Sequence, residues 1–483
     1  MLTGKREVLI LGAGPAGLAA ALGLAEEQDS RVTIIEKETA AGGLCRTFEK
    51  DGCRLDYGPH IIHTTRPDIL HFLQKILGAD LQEQETKVKI YFNGKFVPYP
   101  IRGFKVLTSL SFFTALRACA DYLSARFLLT LRDPADDQSF KSWITNRFGR
   151  TLYNIYFGPY AQKAWKIPDD QISAYVARKR VPVVSLIDYI RSFIKLKPKN
   201  FHPEDPSTIR AYYPKYGVGQ VTDFLERSVC QSSQSLITGS RAVRVKINGK
   251  KVESVTYERD NGLVSLPCDF LFSSIPLNEF ISILDPAPPE NVRAAAAGID
   301  YCAERLLYIV ADKKEVFDCG FLYFQDPKVR FNRVYLPKKH GPFCVPENKE
   351  VLCVEFTCSV GDDIWNVSDK ELFEETIGVF QNLGLLKARE VSDFFSRYVT
   401  HAYPRFRTGF EKKLQTVFDF LETLENCVVL GRQGLFCYAN LDEVLHMGFG
   451  AVEFYRAMRW TGIDYKSLFE SYIHINEPQE DQP

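Results

Sequence analysis

A glycine-rich turn between an apolar strand and an alanine-rich helix constrains the fold of this chain more than any other feature. Residues 7–11 form an apolar run typical of a buried strand, and Gly12, Gly14 and Gly17 follow it. The first glycine of such a turn makes a tight bend, the second lets the backbone approach a pyrophosphate, and the third lets helix and strand pack closely. The helix after Gly14 would direct its first N–H groups and the positive end of its dipole at phosphate. The spacing predicts a Rossmann-type unit that binds a dinucleotide.

The acidic residue after the second apolar run narrows the choice of dinucleotide. Residues 32–35 end at Glu36, whose carboxylate can accept both ribose hydroxyls and would repel a 2′-phosphate, which favours FAD or NAD over NADP. A rival interpretation is a membrane span, because residues 8–25 are uncharged and of about the required length. The glycines fall where the turn needs them, and the charged residues 5–7 do not form a signal-peptide pattern. We therefore expect a β-turn-α unit and no transmembrane segment.

Charge and cysteine content limit the partners and the compartment. The 483 residues suggest two or three domains, and 60 Lys and Arg residues balance 60 Asp and Glu residues. No overall field favours nucleic acid, so we expect a small-molecule substrate. The 12 cysteines form no CxxC pairs and no secretory signal precedes them, which favours a reducing, cytoplasmic location. Cys344, Cys353 and Cys358 are irregularly spaced near His340, so we expect no metal site.

Strand patterns on either side of a helical stretch predict interleaved domains. Hairpin turns are expected at Asn93-Gly94 and Asn248-Gly249, and a further strand, turn and helix begin at Cys427. The predicted division is a discontinuous dinucleotide-binding domain of residues 1–95, 205–285 and 410–475, a helical cap domain of residues 96–204, a β-sheet substrate domain of residues 286–409, and a flexible tail of residues 476–483.

One face of the predicted helical domain is strongly apolar. It carries Leu107, Leu110, Phe113, Leu116, Leu123, Phe127 and Leu131. We expect this face to be buried in the protein core, and weak association with a membrane is the alternative.

A second dense segment, residues 55–64, combines small residues with two histidines. Gly58 and Pro59 would let the backbone approach a planar ring, while His60 and His63 could donate hydrogen bonds to a flavin edge or to substrate. The chain contains one complete glycine turn, so we expect one bound dinucleotide. A flavin enzyme without a nicotinamide-binding domain of its own must exchange electrons with substrate, oxygen or an external donor such as NAD(P)H.

Five segments together resemble the flavin-containing amine oxidase superfamily, and most closely its UDP-galactopyranose mutases and their protoporphyrinogen-oxidase-like oxidoreductase relatives. The segments are residues 42–43, 57–64, 160–165, 212–219 and 431–442. The resemblance covers roughly residues 5–460 and implies FAD as the cofactor. The fold class is then α/β, with a Rossmann-type FAD-binding domain interleaved with a helical insertion and a β-sheet substrate domain.

The residues expected to contact FAD come from five segments of the chain. They are Gly12, Gly14, Pro15, Ala16, Gly17, Glu36, Lys37, Gly43, Leu44, Arg46, Gly58, Pro59, His60, Gly431, Arg432, Asn440, Leu441 and Asp442. In the last segment, residues 431–442, the resemblance implies that backbone groups before the final helix hold pyrophosphate and ribityl. Valine at Gly14 or Gly17 is predicted to occupy the space of the pyrophosphate and so to remove the flavin.

The resemblance also implies a substrate site built from arginines and aromatic residues. Its predicted members are His60, His63, Trp165, Arg333, Tyr403, Arg432 and Tyr438. In the mutases, arginines and tyrosines clamp the diphosphate of the substrate, a task suited to a planar fork of donors. This chain has Val184 where the mutases carry one of two paired arginines, although Arg178 or Lys179 could compensate.

Four functions remain open from the sequence. The main hypothesis is an FAD-dependent oxidoreductase that acts on a small polar substrate, such as a sugar or nucleotide sugar, by hydride transfer at flavin N5. The alternative is a mutase-like isomerase that uses reduced flavin as a nucleophile without net redox change. A third is an oxidase of porphyrinogens, amines or carotenoids, which would have a more apolar pocket. A non-catalytic escort protein of the same fold is the fourth, and the intact glycine turn opposes it.

Overall fold

A five-stranded parallel sheet organises the part of the chain that carries the glycine turn. The computed structural model describes residues 5–84, 87–98, 110–129, 137–181, 211–232 and 234–460. In spatial order, the strands of this first sheet are Ser235–Ile237, Ser30–Ile35, Arg6–Leu11, Phe270–Ser273 and Cys427–Val429. Distant parts of the chain supply them, and each pair is parallel. The predicted α/β fold with an interleaved Rossmann-type domain is confirmed.

Helices cover the first sheet and connect it to the rest of the molecule. The helix after the glycine turn, Pro15–Gly23, packs against the last helix, Leu441–Trp460, and against Gly219–Gln231. The remaining described α-helices are Pro67–Leu77, Phe112–Leu129, Phe140–Phe148, Arg150–Leu152, Gly158–Trp165, Ala174–Arg180, Leu277–Ser282, Glu290–Ala297, Asp363–Asn366, Asp369–Asn382, Phe410–Leu421 and Gly431–Gly434. A π-helical turn at Tyr153–Phe157 and 3-10 turns at Leu24–Glu26, Gly43–Cys45, Gly78–Asp80, Pro337–Lys339 and Ala388–Glu390 complete the set.

A second, larger sheet has seven strands. Its strands, in spatial order, are Val391–Pro404, Tyr301–Ala311, Glu350–Cys358, Arg333–Tyr335, Phe321–Phe324, Val88–Phe92 and Lys95–Pro98. The predicted hairpin at Asn93-Gly94 joins the last two strands. Val88–Phe92 pairs in parallel with Phe321–Phe324, so the predicted boundary at residue 95 cuts through a hairpin that belongs to this sheet. The position of this hairpin depends on strand pairing between residues far apart in sequence, and local sequence patterns do not indicate such pairing.

Three smaller sheets complete the strand pairing. The strands are Gly262–Pro267, Lys251–Arg259, Arg241–Asn248 and Leu284–Asp285 in one sheet, Ile62–His63, Ala211–Pro214 and Leu81–Gln84 in another, and Thr47–Lys50 with Cys53–Asp56 in the third. The predicted turn at Asn248-Gly249 lies between two of these strands, which confirms the hairpin.

The apolar face of helix Phe112–Leu129 is exposed, contrary to the expectation that it would be buried. Phe113, Leu116, Leu123 and Phe127 all lie on the surface. The helix instead contacts the protein through its opposite side, where Ala118 and Ala125 are buried. Small side chains permit that close approach, and the large apolar ones are left facing outward.

Parts of the helical prediction lie outside the described residues, namely Leu107 and Leu131, as does the predicted tail of residues 476–483. Within the described ranges, no helix has the length and apolar content that crossing a membrane requires.

Candidate functional site

A cavity of about 480 Å³ lies where the carboxyl edge of the first sheet meets the second sheet. Ligands of open parallel sheets bind at this edge, because the loops after the strands converge there. Sixteen of the residues predicted to contact FAD line it: Gly12, Gly14, Pro15, Ala16, Glu36, Lys37, Gly43, Leu44, Arg46, Gly58, Pro59, His60, Gly431, Arg432, Asn440 and Leu441. The sequence segments that resemble a flavin site therefore converge on one space.

The glycines of the turn have separate steric roles. Gly12 has φ of +94°, and a Cβ there would lie 2.5 Å from the Oγ of Ser274. A Cβ on Gly17 would lie 2.0 Å from the carbonyl oxygen of Gly12, so this glycine permits the helix to pack on the turn and does not line the cavity. A Cβ on Gly43 would approach the Cα of Gly14 to 3.0 Å. The cavity wall is thus made of closely packed backbone.

Glu36 is held rigidly at the end of the second strand. Its carboxylate accepts the N–H of Ala13 at 2.6 Å and the N–H of Glu38 at 2.8 Å, and the side chain is buried. A carboxylate has about four lone-pair sites, so Glu36 can still accept hydrogen bonds from the hydroxyl groups of a ligand in the cavity. This geometry fits the adenosine ribose of a dinucleotide, while the bare N-terminus of helix Pro15–Gly23 fits its phosphates.

The last predicted cofactor segment, residues 431–442, closes the cavity from the other side. Gly431 has φ of +75°, and a Cβ there would lie 2.9 Å from the Cβ of Ala16, which brings the segment against the first helix. The Asn440 N–H donates to the carboxylate of Glu443 at 2.7 Å and so begins the last helix. Asp442 does not line the cavity; it is buried, and its burial raises the pKa of its carboxyl group.

The end of the cavity that the sequence predicts to hold substrate contains two tyrosines and an arginine. The rings of Tyr403 and Tyr438 are nearly parallel, with centroids 6.0 Å apart. The guanidinium of Arg432 lies 4.9 Å from the centre of the Tyr403 ring and donates to the carbonyl of Ala402 at 2.8 Å. Burial raises the pKa of Tyr403 well above its usual range, so this phenol remains a hydrogen-bond donor. The three side chains form a polar stack on the cavity wall.

His60 is neutral at the cavity floor. Burial and the positive charge of Arg432 lower its pKa to about 4. Its Nδ1 lies 3.1 Å from the carbonyl oxygen of Gly58, which can only accept, so Nδ1 carries the proton. The sequence suggested that His60 donates to a ligand. The neutral tautomer instead leaves Nε2 as an acceptor.

Three predicted substrate residues do not line the cavity. Arg333 forms a two-point ion pair with the buried Glu355, with contacts of 2.8 and 2.6 Å, and donates to the hydroxyl of Tyr323. His63 is exposed on the strand Ile62–His63. Trp165 is buried, with its ring 6.0 Å from that of Phe406. Cross-strand pairing and core packing decided these positions, and local sequence carries neither.

Val184, the position at which this chain lacks one of the paired arginines of the mutases, lies outside the described residues. Arg178 and Lys179 are on helix Ala174–Arg180 and do not line the cavity.

Several cavity residues were missed by the sequence reasoning. Among them are Tyr57, Ser274, Glu279, Glu304, Arg397 and His401. Ser274 follows the strand Phe270–Ser273 of the first sheet, so the rule that parallel strands end at one edge could have found it. Glu304 lies inside a wholly buried strand and His401 near the end of a long one, and no local signal distinguishes them.

The cysteines and His340 form no metal centre in the described ranges, where no group of three or more His, Cys, Asp or Glu side chains could hold an ion. The 12 cysteines are free thiols. Cys344 donates to the carbonyl of Lys215, and burial raises its pKa to about 12.

Comparison with known proteins gives one family match, partial sequence relatives and a full-length structural likeness. The family described as "NAD(P)-binding Rossmann-like domain" matches residues 10–76. The dTDP-fucopyranose mutase of Escherichia coli is 31% identical over 180 residues, which are 37% of this chain and 46% of that protein. The UDP-galactopyranose mutase of Mycoplasma genitalium is 27% identical over 188 residues, 37% of this chain and 44% of that protein. The chain thus spans less than half the length of these curated relatives.

The structural likeness extends over nearly the whole chain. A crystal structure of reduced UDP-galactopyranose mutase matches with a TM-score of 0.80 and 19% identity, covering 98% of both chains. These findings confirm the resemblance seen in the sequence: the chain has the fold of UDP-galactopyranose mutase and a Rossmann-type dinucleotide-binding region.

Proposed function

We propose that this chain is an FAD-dependent enzyme that acts on a small polar substrate, with a nucleotide sugar as the favoured class. The observation that carries the proposal is the single cavity that joins the glycine turn to the stack of Tyr403, Arg432 and Tyr438. One end offers backbone and a fixed carboxylate to a dinucleotide, and the other offers polar side chains to a second molecule.

The residues around the cavity fit FAD. The close approach of Gly43 to Gly14 leaves backbone facing the phosphates, and Glu36 is positioned for ribose hydroxyls. Gly58 and Pro59 present a flat surface of small residues beside His60. FAD, when bound, supplies hydride transfer at its N5 atom.

The chain's own residues would then orient the substrate. Arg432 and the two tyrosines offer donors and flat faces to a polar molecule. His60, neutral and with Nε2 as acceptor, can accept a hydrogen bond from a substrate hydroxyl near physiological pH. These roles support an oxidoreductase, with NAD(P)H or oxygen as the external electron partner.

The redox-neutral mutase is the second candidate, and the two mutase relatives favour it. The state of Arg333 weighs against it. Its fork is occupied by Glu355, so its charge is already neutralised and it is a weak partner for a diphosphate. Arg432 and Arg397, which line the cavity, would have to hold that group.

The test separates the candidates under anaerobic conditions. Dithionite-reduced protein is mixed with a panel of UDP- and dTDP-sugars, and the products are separated by chromatography. A product of unchanged mass but altered retention supports the mutase, and return of the yellow absorbance with one sugar supports the oxidoreductase. Turnover of an amine or an apolar ring, with no response to any sugar, would contradict both. A colourless protein that takes up no FAD would overturn the proposal itself.

The location stays a prediction. The free state of all 12 cysteines suits the reducing, cytoplasmic compartment that the sequence favours.

A further inference from the structure

The helix Phe112–Leu129 presents a broad apolar surface that the proposed function does not use. Phe112 is 76% exposed, Phe113 80%, Leu116 60% and Leu123 60%. These four residues are called the apolar stripe below. Isolated apolar residues on a surface are ordinary, but four of this size within three turns of one helix are not.

The stripe is wide. At about 3.6 residues per turn, these positions cover roughly a third of the helix circumference. A two-stranded coiled coil uses a narrower seam, whereas a helix that lies in a lipid interface has an apolar arc of this breadth.

Charge is distributed around the stripe in a consistent way. The same periodicity places Arg117 along one border of the stripe and Arg126 along the other. Neither arginine forms an ion pair within the described residues. The one acidic residue of the helix, Asp121, is turned toward the protein, where its carboxylate accepts the Thr151 N–H at 3.0 Å and the Thr151 hydroxyl at 2.5 Å. The outward surface is therefore apolar with cationic borders.

This arrangement favours one occupant. Two copies packed stripe to stripe would bring arginine borders of like charge together, which is unfavourable. An anionic lipid surface fits both the apolar stripe and its cationic borders. The aromatic and leucine side chains would enter the boundary of the acyl chains, and the arginines would contact the lipid phosphates.

We propose that this chain docks on the surface of anionic membranes through the apolar stripe of helix Phe112–Leu129. The helix lies in the interface and does not span the bilayer. Ala118 and Ala125 anchor its other side to the protein, so docking needs no unfolding of the cap. The enzyme would thereby work beside a membrane, with its cavity on a separate part of the molecule.

The test is vesicle flotation of the full chain with its cofactor. Wild-type protein is expected to float with phosphatidylcholine vesicles that contain phosphatidylserine, and less with phosphatidylcholine alone. The double variant Phe113→Glu, Leu116→Glu should lower binding by about tenfold or more, because two large apolar groups are lost. The double variant Arg117→Glu, Arg126→Glu should lose the preference for the anionic vesicles, and salt should weaken the wild type in the same way.

Leu263→Glu is the matched control. This leucine is 68% exposed on the hairpin strand Gly262–Pro267, far from the helix in sequence, and its substitution should leave flotation unchanged. Flavin absorbance and melting temperature report whether each variant is folded.

Several results would overturn the proposal. They are no flotation with either vesicle, equal flotation with both, or an equal loss in Leu263→Glu. A wild-type dimer that Phe113→Glu, Leu116→Glu converts to a monomer would assign the stripe to a second copy. A lower melting temperature in that variant would show that another part of the chain covers the stripe.

Discussion

The two ends of the cavity are built by different means. The dinucleotide end consists of backbone segments that glycines allow to approach closely. A fixed carboxylate at this end, that of Glu36, accepts the backbone N–H groups of Ala13 and Glu38. The substrate end consists of side chains from a strand, a short helix and a loop, namely Tyr403, Arg432 and Tyr438. The first end depends on backbone conformation and on the close approach that glycines permit, whereas the second depends on which side chains the fold brings together.

That difference predicts how each end responds to change. At the dinucleotide end an added methyl group meets backbone that cannot move. At the substrate end a lost side chain leaves the frame intact. Substitutions should therefore affect stability or cofactor retention at the first end and substrate affinity at the second.

The largest effect is expected for Gly17→Val. A Cβ there would lie 2.0 Å from the carbonyl oxygen of Gly12, inside any tolerable contact. The sequence suggested that this change blocks the pyrophosphate, but the clash is with the protein, so the fold itself should lose about 3 kcal/mol or more. Denaturant unfolding measures the loss. Unfolding like that of the wild type would contradict the packing described for this turn.

Gly14→Val should instead remove the cofactor from a folded protein. A Cβ at Gly14 meets nothing closer than the Cα of Gly43 at 4.0 Å, and this glycine lines the cavity. The valine methyl groups would occupy the space that phosphates need, so FAD affinity should fall about 100-fold or more. The flavin absorbance of purified protein and a titration of FAD fluorescence report it. Gly14→Ala serves as the milder comparison. Full flavin occupancy in the valine variant would contradict the assignment of this part of the cavity to the phosphates of FAD.

Arg432→Ala tests the substrate end. The guanidinium lies against the Tyr403 ring and donates to Ala402, so its loss should leave the frame in place and weaken substrate by about tenfold. FAD content should change little. Arg432→Lys keeps the charge but not the planar fork, and it should recover only part of the affinity. Equal losses of substrate and FAD would move Arg432 to the cofactor.

The smallest effect concerns the pH dependence contributed by His60. Burial holds its pKa at about 4 in the folded state, against an ordinary value near 6.5. Between these values the unfolded chain binds more protons, so the folded state loses stability as pH falls from about 6.5 toward about 4. In the variant His60→Gln, the loss of folding stability over this pH range should be smaller than in the wild type by about 1 kcal/mol.

Melting curves at several pH values check this prediction, with the exposed His71→Gln as the control. Asp56 acts in the opposite direction, since burial raises its pKa to about 6 and its share of stability is lost as pH rises through that value. The comparison must therefore be made between wild type and variant at each pH. An unchanged pH profile in His60→Gln would mean that this histidine is not held neutral by the fold.

Local patterns were sufficient for much of the fold. The glycine turn, the two Asn-Gly hairpins and the helix starting at Leu441 lie where their sequences indicate. Each depends on neighbours within a few residues. The apolar face of helix Phe112–Leu129 shows the limit, because its periodicity specifies an apolar side but not what covers it.

The same limit applies within the candidate site. Arg333 was expected at the substrate, but the register between its strand and Glu350–Cys358 places it opposite Glu355. Glu304 gave no signal and yet lines the cavity. Register and layer packing are set by the assembled sheet, so local sequence could not supply them.

The sequence by itself predicted the dinucleotide end, because that end rests on backbone conformation: Gly12 and Gly43 have positive φ, and Gly17 lets the helix pack on the turn before it. Only the tertiary structure decided which side chains share the other end of the cavity and which helix face meets solvent. Those outcomes depend on contacts between separate elements of the chain, which form only when the protein is folded and packed.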